Sequence, residues 1–253
     1  MDVKGILLII FILILLYIIV KLIYSSSSQL STIQDGTTIT TIQPTSLSGG
    51  SSGSTSGNFT YSVWFYVNDW NYRYGEPKVI FGRMSSASSS TGGSTPGVSG
   101  IDPCPAVVLG AIQNNISISL ACFPGADSTP TTSTSNSIVH TCNVANVPVQ
   151  KWVNLLVSVY GRSMDVYIDG KLVKTCLLPG IAKINTNSPI YLTPKGGFSG
   201  WTSKLQYWPN ATDPQTAWNI YMQGYGGSTN MLSQYKVKVG FYNGNTEQSS
   251  VSI

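Results

Sequence analysis

Charged side chains are scarce in this chain. Asp, Glu, Lys and Arg make up 9% of the residues, whereas a typical soluble domain has roughly 25%. The formal net charge is +4, and the basic residues are scattered along the sequence. Because nucleic acid is bound through dense basic patches, the sequence predicts no nucleic-acid partner.

Residues for acid–base and metal chemistry are nearly absent. Glu76 and Glu247 are the two glutamates, and neither has an acidic residue close by in sequence. A glycosidase needs two carboxylates at a fixed separation. His140, the one histidine, lies near Cys142, so a Cys–His dyad is an alternative to a purely structural cysteine. We favour the structural cysteine and predict no catalytic residue, no metal site and no cofactor.

Cysteine is also sparse. There is no Cys-x-x-Cys motif among the four cysteines, which argues against a zinc site. Four cysteines allow three disulfide connectivities. We favour Cys104–Cys122, which flank a predicted hairpin, together with Cys142–Cys176. Four buried free thiols are the alternative, because the redox compartment is not readable from the sequence.

A long apolar run is present near the N-terminus, over residues 5–24. Its length matches a bilayer core of about 30 Å at about 1.5 Å per helical residue. A cleaved signal peptide is the alternative, but its apolar segment is shorter and ends in small residues. The sequence therefore predicts a transmembrane anchor over 1–24, with the lipid bilayer as partner through 5–24. A Ser/Thr/Gly-rich stalk is predicted over 25–57. The flanking Lys4 and Lys21 leave the membrane orientation open.

Short alternating segments predict strands from Asn58 onward. In FTYSVWFYV one face carries Phe59, Tyr61, Val63, Phe65 and Val67, the period of two that a half-buried strand requires. Many such runs, separated by Gly/Pro turns, predict an all-β sandwich or barrel over 58–253.

Two local motifs refine this prediction. In TDPQTAWNIYMQG, Asp213 is a helix cap followed by a proline, which predicts one short helix near the C-terminal part. In MDVYIDGKLVKT, Asp169-Gly170 is typical of a type I′ hairpin turn. A two-residue turn there places Asp165 opposite Lys174 as a cross-strand ion pair.

Three segments, taken in order, carry a family resemblance: FTYSVWFYVNDW…KVIFGR, KWVNLLVSVYGRSMDVYIDGKLVKT and FSGWTSKLQYWPNATDPQTAWNIY. They are similar to strands and a closing helix of the laminin-G-like jelly roll, in the concanavalin A-like lectin/glucanase superfamily. The resemblance implies a two-sheet antiparallel jelly-roll sandwich. Its glucanases carry Glu-x-Asp-x-x-Glu on one strand, which this chain lacks, so the resemblance implies no enzymatic activity here.

The anchor, stalk and jelly roll together resemble membrane-anchored virion proteins of large double-stranded DNA viruses. That resemblance implies a minor capsid component, which would link an internal virion membrane to the protein shell and contact other structural proteins. The alternative is a surface-displayed, lectin-like protein with glycans as partners.

Candidate ligand residues of the lectin-like alternative lie in one loop, NDWNYRYGE. They are Trp70, Tyr72, Arg73 and Tyr74, because rings beside polar groups suit sugar or protein contacts. Packing of these rings under the long Ser-rich loop is the competing interpretation. Asn-x-Ser/Thr triplets also make Asn58, Asn115 and Asn210 candidate glycosylation sites, although such triplets are common by chance.

Overall fold

The chain folds as an antiparallel β-sandwich. The computed structural model describes residues 12–17, 28–47, 57–87, 97–100, 102–125, 136–226, 238–243 and 246–252, the last two ranges as backbone. The strands within these ranges are β1 Gln34–Asp35, β2 Thr40–Ile42, β3 Phe59–Asp69, β4 Lys78–Arg83, β5 Ala106–Leu109, β6 Ile116–Cys122, β7 Ile138–Val144, β8 Trp152–Tyr160, β9 Ser163–Ile168, β10 Lys171–Leu177, β11 Ile190–Leu192, β12 Ser199–Trp208, β13 Lys238–Asn243 and β14 Thr246–Ser252.

Two six-stranded sheets make up the sandwich. Sheet A has the order β1-β12-β3-β8-β9-β10 and sheet B the order β2-β11-β4-β5-β6-β7, while β13 and β14 pair in a two-stranded sheet of their own. Every strand pairing is antiparallel. The predicted all-β, two-sheet antiparallel class is therefore confirmed.

The core lies between the two sheets and follows the alternation in the sequence. The five residues predicted for the inner face of β3 are all buried in one cluster with residues of β5 and β6. Successive side chains of a strand point to opposite faces, so the remaining β3 residues lie on the outer face of sheet A. Trp64 and Tyr66 are therefore outward-facing.

One short helix covers part of that outer face. Residues 12–17 are also helical (α1), and the second helix, α2, spans Pro214–Met222. Asp213 caps α2 by accepting a hydrogen bond from the Thr216 amide at 3.0 Å, as the sequence predicted. Ala217 and Ile220 bury their side chains against Leu156 and Tyr167 of sheet A.

The β9–β10 hairpin has the predicted turn but a different register. Asp169 and Gly170 have positive φ angles of 49° and 73°, as a type I′ turn requires. The pairing shifts after Leu172, so Asp165 lies opposite Thr175. The Thr175 hydroxyl donates a hydrogen bond to Asp165 Oδ1 at 2.6 Å. The predicted Asp165–Lys174 pair is therefore wrong, because a β-bulge moves Lys174 by one position.

The cysteines form one disulfide among the described residues. Cys142 of β7 is bonded to Cys176 of β10, whereas Cys104 and Cys122 are buried free thiols. The expected Cys104–Cys122 bond is therefore absent. Cys122 pairs through its backbone with Ala182 instead, and burial raises the pKa of its thiol to about 11.

Part of the predicted stalk belongs to the sandwich. Within residues 28–47, β1 pairs with β12 and β2 pairs with β11, and Leu47 is buried. The β-branched residues of TTITTIQ supply β2, which adds an edge strand to sheet B. Residues 28–47 are thus part of the sandwich, and residues 18–27 and 48–56 lie outside the described residues.

The structure describes only residues 12–17 of the predicted anchor 1–24, and these residues are helical. The rest of the predicted anchor lies outside the described residues. In the part of the chain that the structure describes, no helix is long and apolar enough to cross a membrane.

Candidate functional site

The loop between β3 and β4 holds the four ligand residues predicted from sequence. The Arg73 guanidinium donates to Glu76 Oε2 at 2.6 and 3.0 Å, and also to the carbonyls of Lys195 and Gly197. Arg73 therefore links this loop to residues 195–197 through hydrogen bonds. Its donors are used within the protein, which argues against a role in ligand binding.

Trp70 is half-buried and also has a structural role. Its indole N–H donates to the Ile112 carbonyl at 3.1 Å, and the Lys78 ammonium lies 5.0 Å from the centre of its ring. Packing is therefore favoured for Trp70, against Ile112 of the 110–115 turn, while residues 88–96 of the Ser-rich loop lie outside the described residues. Tyr72 is partly buried and Tyr74 is exposed.

Two shallow clefts adjoin this loop at the rim of the sandwich. One, of about 490 Å³, is lined by Trp70, Ile112, Gln113, Asn114, Asn115, Ala145, Asn146 and Val149. The other, of about 540 Å³, shares the 112–115 turn and continues along Ser117, Thr141 and Asn143. Their walls mix amides, hydroxyls and aliphatic groups without a charged side chain.

A larger aromatic surface lies on the outer face of sheet A, and the sequence analysis missed it. Seven rings are in contact in a continuous chain, named here the aromatic strip: Trp201, Tyr66, Trp152, Tyr225, Trp64, Tyr221 and Trp218. Consecutive ring centres are 4.4 to 6.2 Å apart. Trp152 and Tyr225 stack almost parallel, with 7° between the ring planes.

Strand register builds one end of the strip. Trp201 of β12 lies opposite Tyr66 of β3, which lies opposite Trp152 of β8. Directly opposed residues share a face of the sheet, so three neighbouring strands present three rings in one row. Asp35 of β1 lies opposite Trp201 and extends the row. Hydrogen bonds from the Thr37 hydroxyl and amide lower the pKa of Asp35 below its usual value.

Packing of α2 fixes the other end of the strip. Trp64 is buried and stacks on Tyr221 of α2 at 5.6 Å. At the two ends of the strip, Trp201 and Trp218 are exposed, while Tyr66, Trp152, Tyr221 and Tyr225 are partly buried. The centre of the strip therefore packs the helix, and the row Trp201–Tyr66–Trp152 leaves ring surface open to solvent.

Residues considered for chemistry have structural partners. Glu76 pairs with Arg73, and Cys142 is in a disulfide, so the Cys142–His140 dyad has no thiol. Burial lowers the pKa of His140. Among the described residues no group of three His, Cys, Asp or Glu could hold a metal ion.

The three candidate glycosylation sites differ in exposure. Asn58 accepts a hydrogen bond from the Gly161 amide at 2.8 Å, and Asn115 is partly buried with a buried side-chain oxygen. Asn210 is exposed. The structure therefore favours Asn210 as the accessible acceptor of the three.

A clue to the strip was present in the sequence. Trp64 and Tyr66 occupy outward positions of β3, whose inner face the alternation identified, and Trp152 directly precedes the alternating run 153–159 of β8. Aromatic residues at positions expected to be polar indicate a second covered or binding face. The contribution of Tyr225 could not be read in this way, because it follows the helix and meets Trp152 through tertiary packing.

Comparison with known proteins gives only distant similarity. No family model matches the chain, and no curated protein matches it. Among solved structures, the receptor-binding domain of botulinum neurotoxin D has 12% identity and a TM-score of 0.47, over 67% of this chain and 38% of that one. The binding domain of botulinum neurotoxin DC in complex with rat synaptotagmin II has 15% identity and a TM-score of 0.44, over 65% and 35%.

A third solved structure concerns botulinum neurotoxin type C, whose cell entry is described as dependent upon interaction with two ganglioside molecules. It has 16% identity and a TM-score of 0.46, over 67% of this chain and 36% of that one. The present chain thus spans little more than a third of these structures. At such scores the similarity says nothing about the ligand of this chain.

Proposed function

We propose that this chain is a non-catalytic, membrane-anchored module that binds neutral oligosaccharides through the row Trp201–Tyr66–Trp152. The observation that carries the proposal is this three-ring row, with ring centres 5.5 and 5.8 Å apart on adjacent strands. Two strand spacings give it a width of roughly 10 Å. That width suits a short oligosaccharide better than a single sugar.

The chemistry of the row suits a sugar. A pyranose ring has an apolar C–H face and a rim of hydroxyls, while Tyr and Trp combine an apolar ring with a polar tip. The ionised Asp35 carboxylate lies at one end of the row and is an acceptor for sugar hydroxyls. Because it is also negatively charged, it disfavours acidic glycans beside Trp201.

The row is prepared for binding before a ligand arrives. Its residues lie on three hydrogen-bonded strands in the interior of sheet A, and Trp152 is held by stacking on Tyr225. Rings fixed in this way lose little conformational entropy on binding. Helix packing does not account for Trp201, since α2 buries Ala217 and Ile220 elsewhere on the sheet.

Three further predictions from sequence enter this proposal. We propose that residues 1–24 anchor the chain in a membrane in a single pass, because residues 5–24 have the length and apolarity of a span. We assign residues 58–253 to a concanavalin A-like jelly roll, extended by the edge strands within 28–47. The minor capsid role in a virion stays a prediction, because the contacts among the described residues do not test it.

A glycan array probed with the full chain in lipid nanodiscs tests the proposal. We expect saturable binding to neutral oligosaccharides. Trp201→Ala should weaken binding about threefold to tenfold, the value of one aromatic contact, and Trp201→Phe should retain part of it. The matched control is Tyr74→Ala, which removes an exposed ring at the rim and should bind as the unmodified chain does.

Two outcomes would contradict the proposal. Binding that survives Trp201→Ala but is lost in Tyr74→Ala would move the site to the rim clefts. Absence of any glycan signal from well-folded chain would exclude the sugar-binding role and leave a protein partner as the alternative for the strip.

A further inference from the structure

Four large apolar side chains are exposed together at one end of the sandwich, named here the basal end. Tyr160 is 70% exposed, Leu177 73%, Ile181 52% and Phe123 51%. Tyr160 is the last residue of β8 and Leu177 the last of β10, while Ile181 and Phe123 lie in the connections that follow β10 and β6. Solvent-exposed apolar residues grouped in this way indicate a contact surface.

Backbone contacts place these side chains on the same end. Gly161 and Arg162 form the turn between β8 and β9, and the Leu178 amide donates to the Arg162 carbonyl at 2.8 Å. Phe123 donates to the Ile181 carbonyl at 2.9 Å. The turn residue Gly161 in turn donates to Asn58 Oδ1 at 2.8 Å, just before β3 begins.

The chain enters the sandwich at this same end. The Tyr207 amide donates to the Ser28 carbonyl at 3.0 Å, and Tyr207 lies opposite Tyr61 near the start of β3. Residues 25–27 alone separate Ser28 from the apolar run 5–24. Three residues reach about 10 Å even when fully extended.

We propose that the basal end docks onto the lipid bilayer, with Tyr160, Leu177, Ile181 and Phe123 inserted into its interface. This inference rests on the proposed membrane anchor. A tether of three residues keeps the basal end within about one side-chain layer of the headgroups. The exposed apolar side chains would then move from water into the bilayer interface, a region in which tyrosine is especially favoured.

Charge at the basal end agrees with a lipid partner. Arg162 is exposed beside Tyr160, whereas Lys183, 5.9 Å from the centre of the Phe123 ring, is paired with Asp102 at 2.9 Å. A basic side chain close to a bilayer is attracted to anionic headgroups. The exposed Arg162 therefore favours an anionic bilayer over a second copy of this surface, in which the two Arg162 charges would repel each other.

Docking would also orient the aromatic strip. Tyr66 lies near the end of β3 that is farthest from Phe59, and Trp152 begins β8 at that same far end. With the basal end on the bilayer, the row Trp201–Tyr66–Trp152 lies in the half of sheet A that faces away from the membrane. A ligand would then reach it without steric interference from the lipid.

Photocrosslinking of the full chain in nanodiscs containing anionic lipid tests the docking. Tyr160 and Leu177 are replaced, one at a time, by the photoreactive p-benzoylphenylalanine. Matched controls carry the same replacement at Tyr74 and Ile112, which are 58% and 62% exposed at the opposite end. We expect lipid adducts at 160 and 177 to exceed those at 74 and 112 several-fold.

The possible results separate the proposed membrane anchor from the proposed docking of the basal end. Flotation of the chain with liposomes is measured first, and failure to float would overturn the anchor and the docking together. Flotation with equal lipid adducts at both ends, or with protein–protein adducts at 160 and 177, would overturn the docking alone. The latter pattern would assign the basal end to a second copy of the chain.

Discussion

Lys78 begins β4 with a buried side chain, and its ammonium has no hydrogen-bond partner among the described residues. The ammonium lies 5.0 Å from the centre of the Trp70 ring, and the Glu76 and Asp69 carboxylates also favour its charged form. A cation–π contact offsets part of the cost of removing a cation from water. Burial therefore lowers the pKa of Lys78 below its usual value of 10.5.

We predict that Lys78→Met raises the free energy of unfolding by about 1–3 kcal/mol at neutral pH, because an apolar side chain carries no desolvation cost at this position. Denaturant titration measures this change. Lys171→Met, at an exposed lysine of β10, is the control and should leave stability unchanged.

The pH dependence of this effect has a defined sign. In the unmodified chain the unfolded state holds the Lys78 proton more tightly than the folded state does. The contribution of Lys78 to stability therefore rises with pH between its lowered folded-state pKa and 10.5. The advantage of Lys78→Met should shrink over that alkaline interval, and an advantage that grows with pH would contradict the burial of the charged amine.

Single residues show what sequence alone could identify. The cap Asp213 and the turn Asp169-Gly170 depend on neighbours within a few positions, and both were predicted. Arg73 was predicted to bind a ligand because its structural partners could not be seen in the local sequence. These partners, Lys195 and Gly197, are more than a hundred residues away. Such partners become visible only when the fold brings them together.

At the scale of elements, the disulfide joins the two sheets along one side of the sandwich. β7 is the edge strand of sheet B and β10 the edge strand of sheet A. Cys142–Cys176 links them, and Lys174 adds a hydrogen bond to the Asn143 carbonyl at 2.7 Å. This link holds together two strands that each have an unpaired edge.

We predict that the double variant Cys142→Ser/Cys176→Ser lowers the free energy of unfolding by about 3–4 kcal/mol, the chain-entropy value for a loop of this length. The sequence separation is 34 residues. Thermal unfolding followed by circular dichroism gives the change. Reductant should lower the melting temperature of the unmodified chain and leave that of the double variant unchanged, and equal sensitivity of both proteins would contradict the assignment.

A strand could be predicted from sequence where burial of one of its two faces is enough to determine its position. The inner residues of β3 and β8 alternate strictly, so both strands followed from the sequence. The β-branched residues of TTITTIQ indicated a short strand where β2 lies. The bulge in β10 and the edge strand β1 did not follow from the sequence, because pairing with β9 and β12 determines them. A Ser/Thr-rich segment such as 28–47 reads as a linker until a neighbouring strand edge is available to pair with it.

At the scale of the whole molecule, the two ends and the outer face differ in character. The rim has shallow polar clefts, the basal end has exposed apolar tips beside the chain entry, and the outer face of sheet A has the aromatic strip. The two proposals therefore assign membrane attachment and ligand binding to separate surfaces. The low charge of the chain agrees with a ligand recognised by ring stacking and hydroxyl hydrogen bonds rather than by ion pairs.

Saturation-transfer difference NMR on the strongest array glycan, with the full chain in nanodiscs, tests the binding role of the strip most directly. If the sugar stacks on Trp201–Tyr66–Trp152, its ring C–H protons on one face receive the largest saturation, and Trp201→Ala reduces that signal while Tyr74→Ala does not. Saturation spread evenly over the sugar, or unchanged in Trp201→Ala, would contradict binding by the aromatic strip.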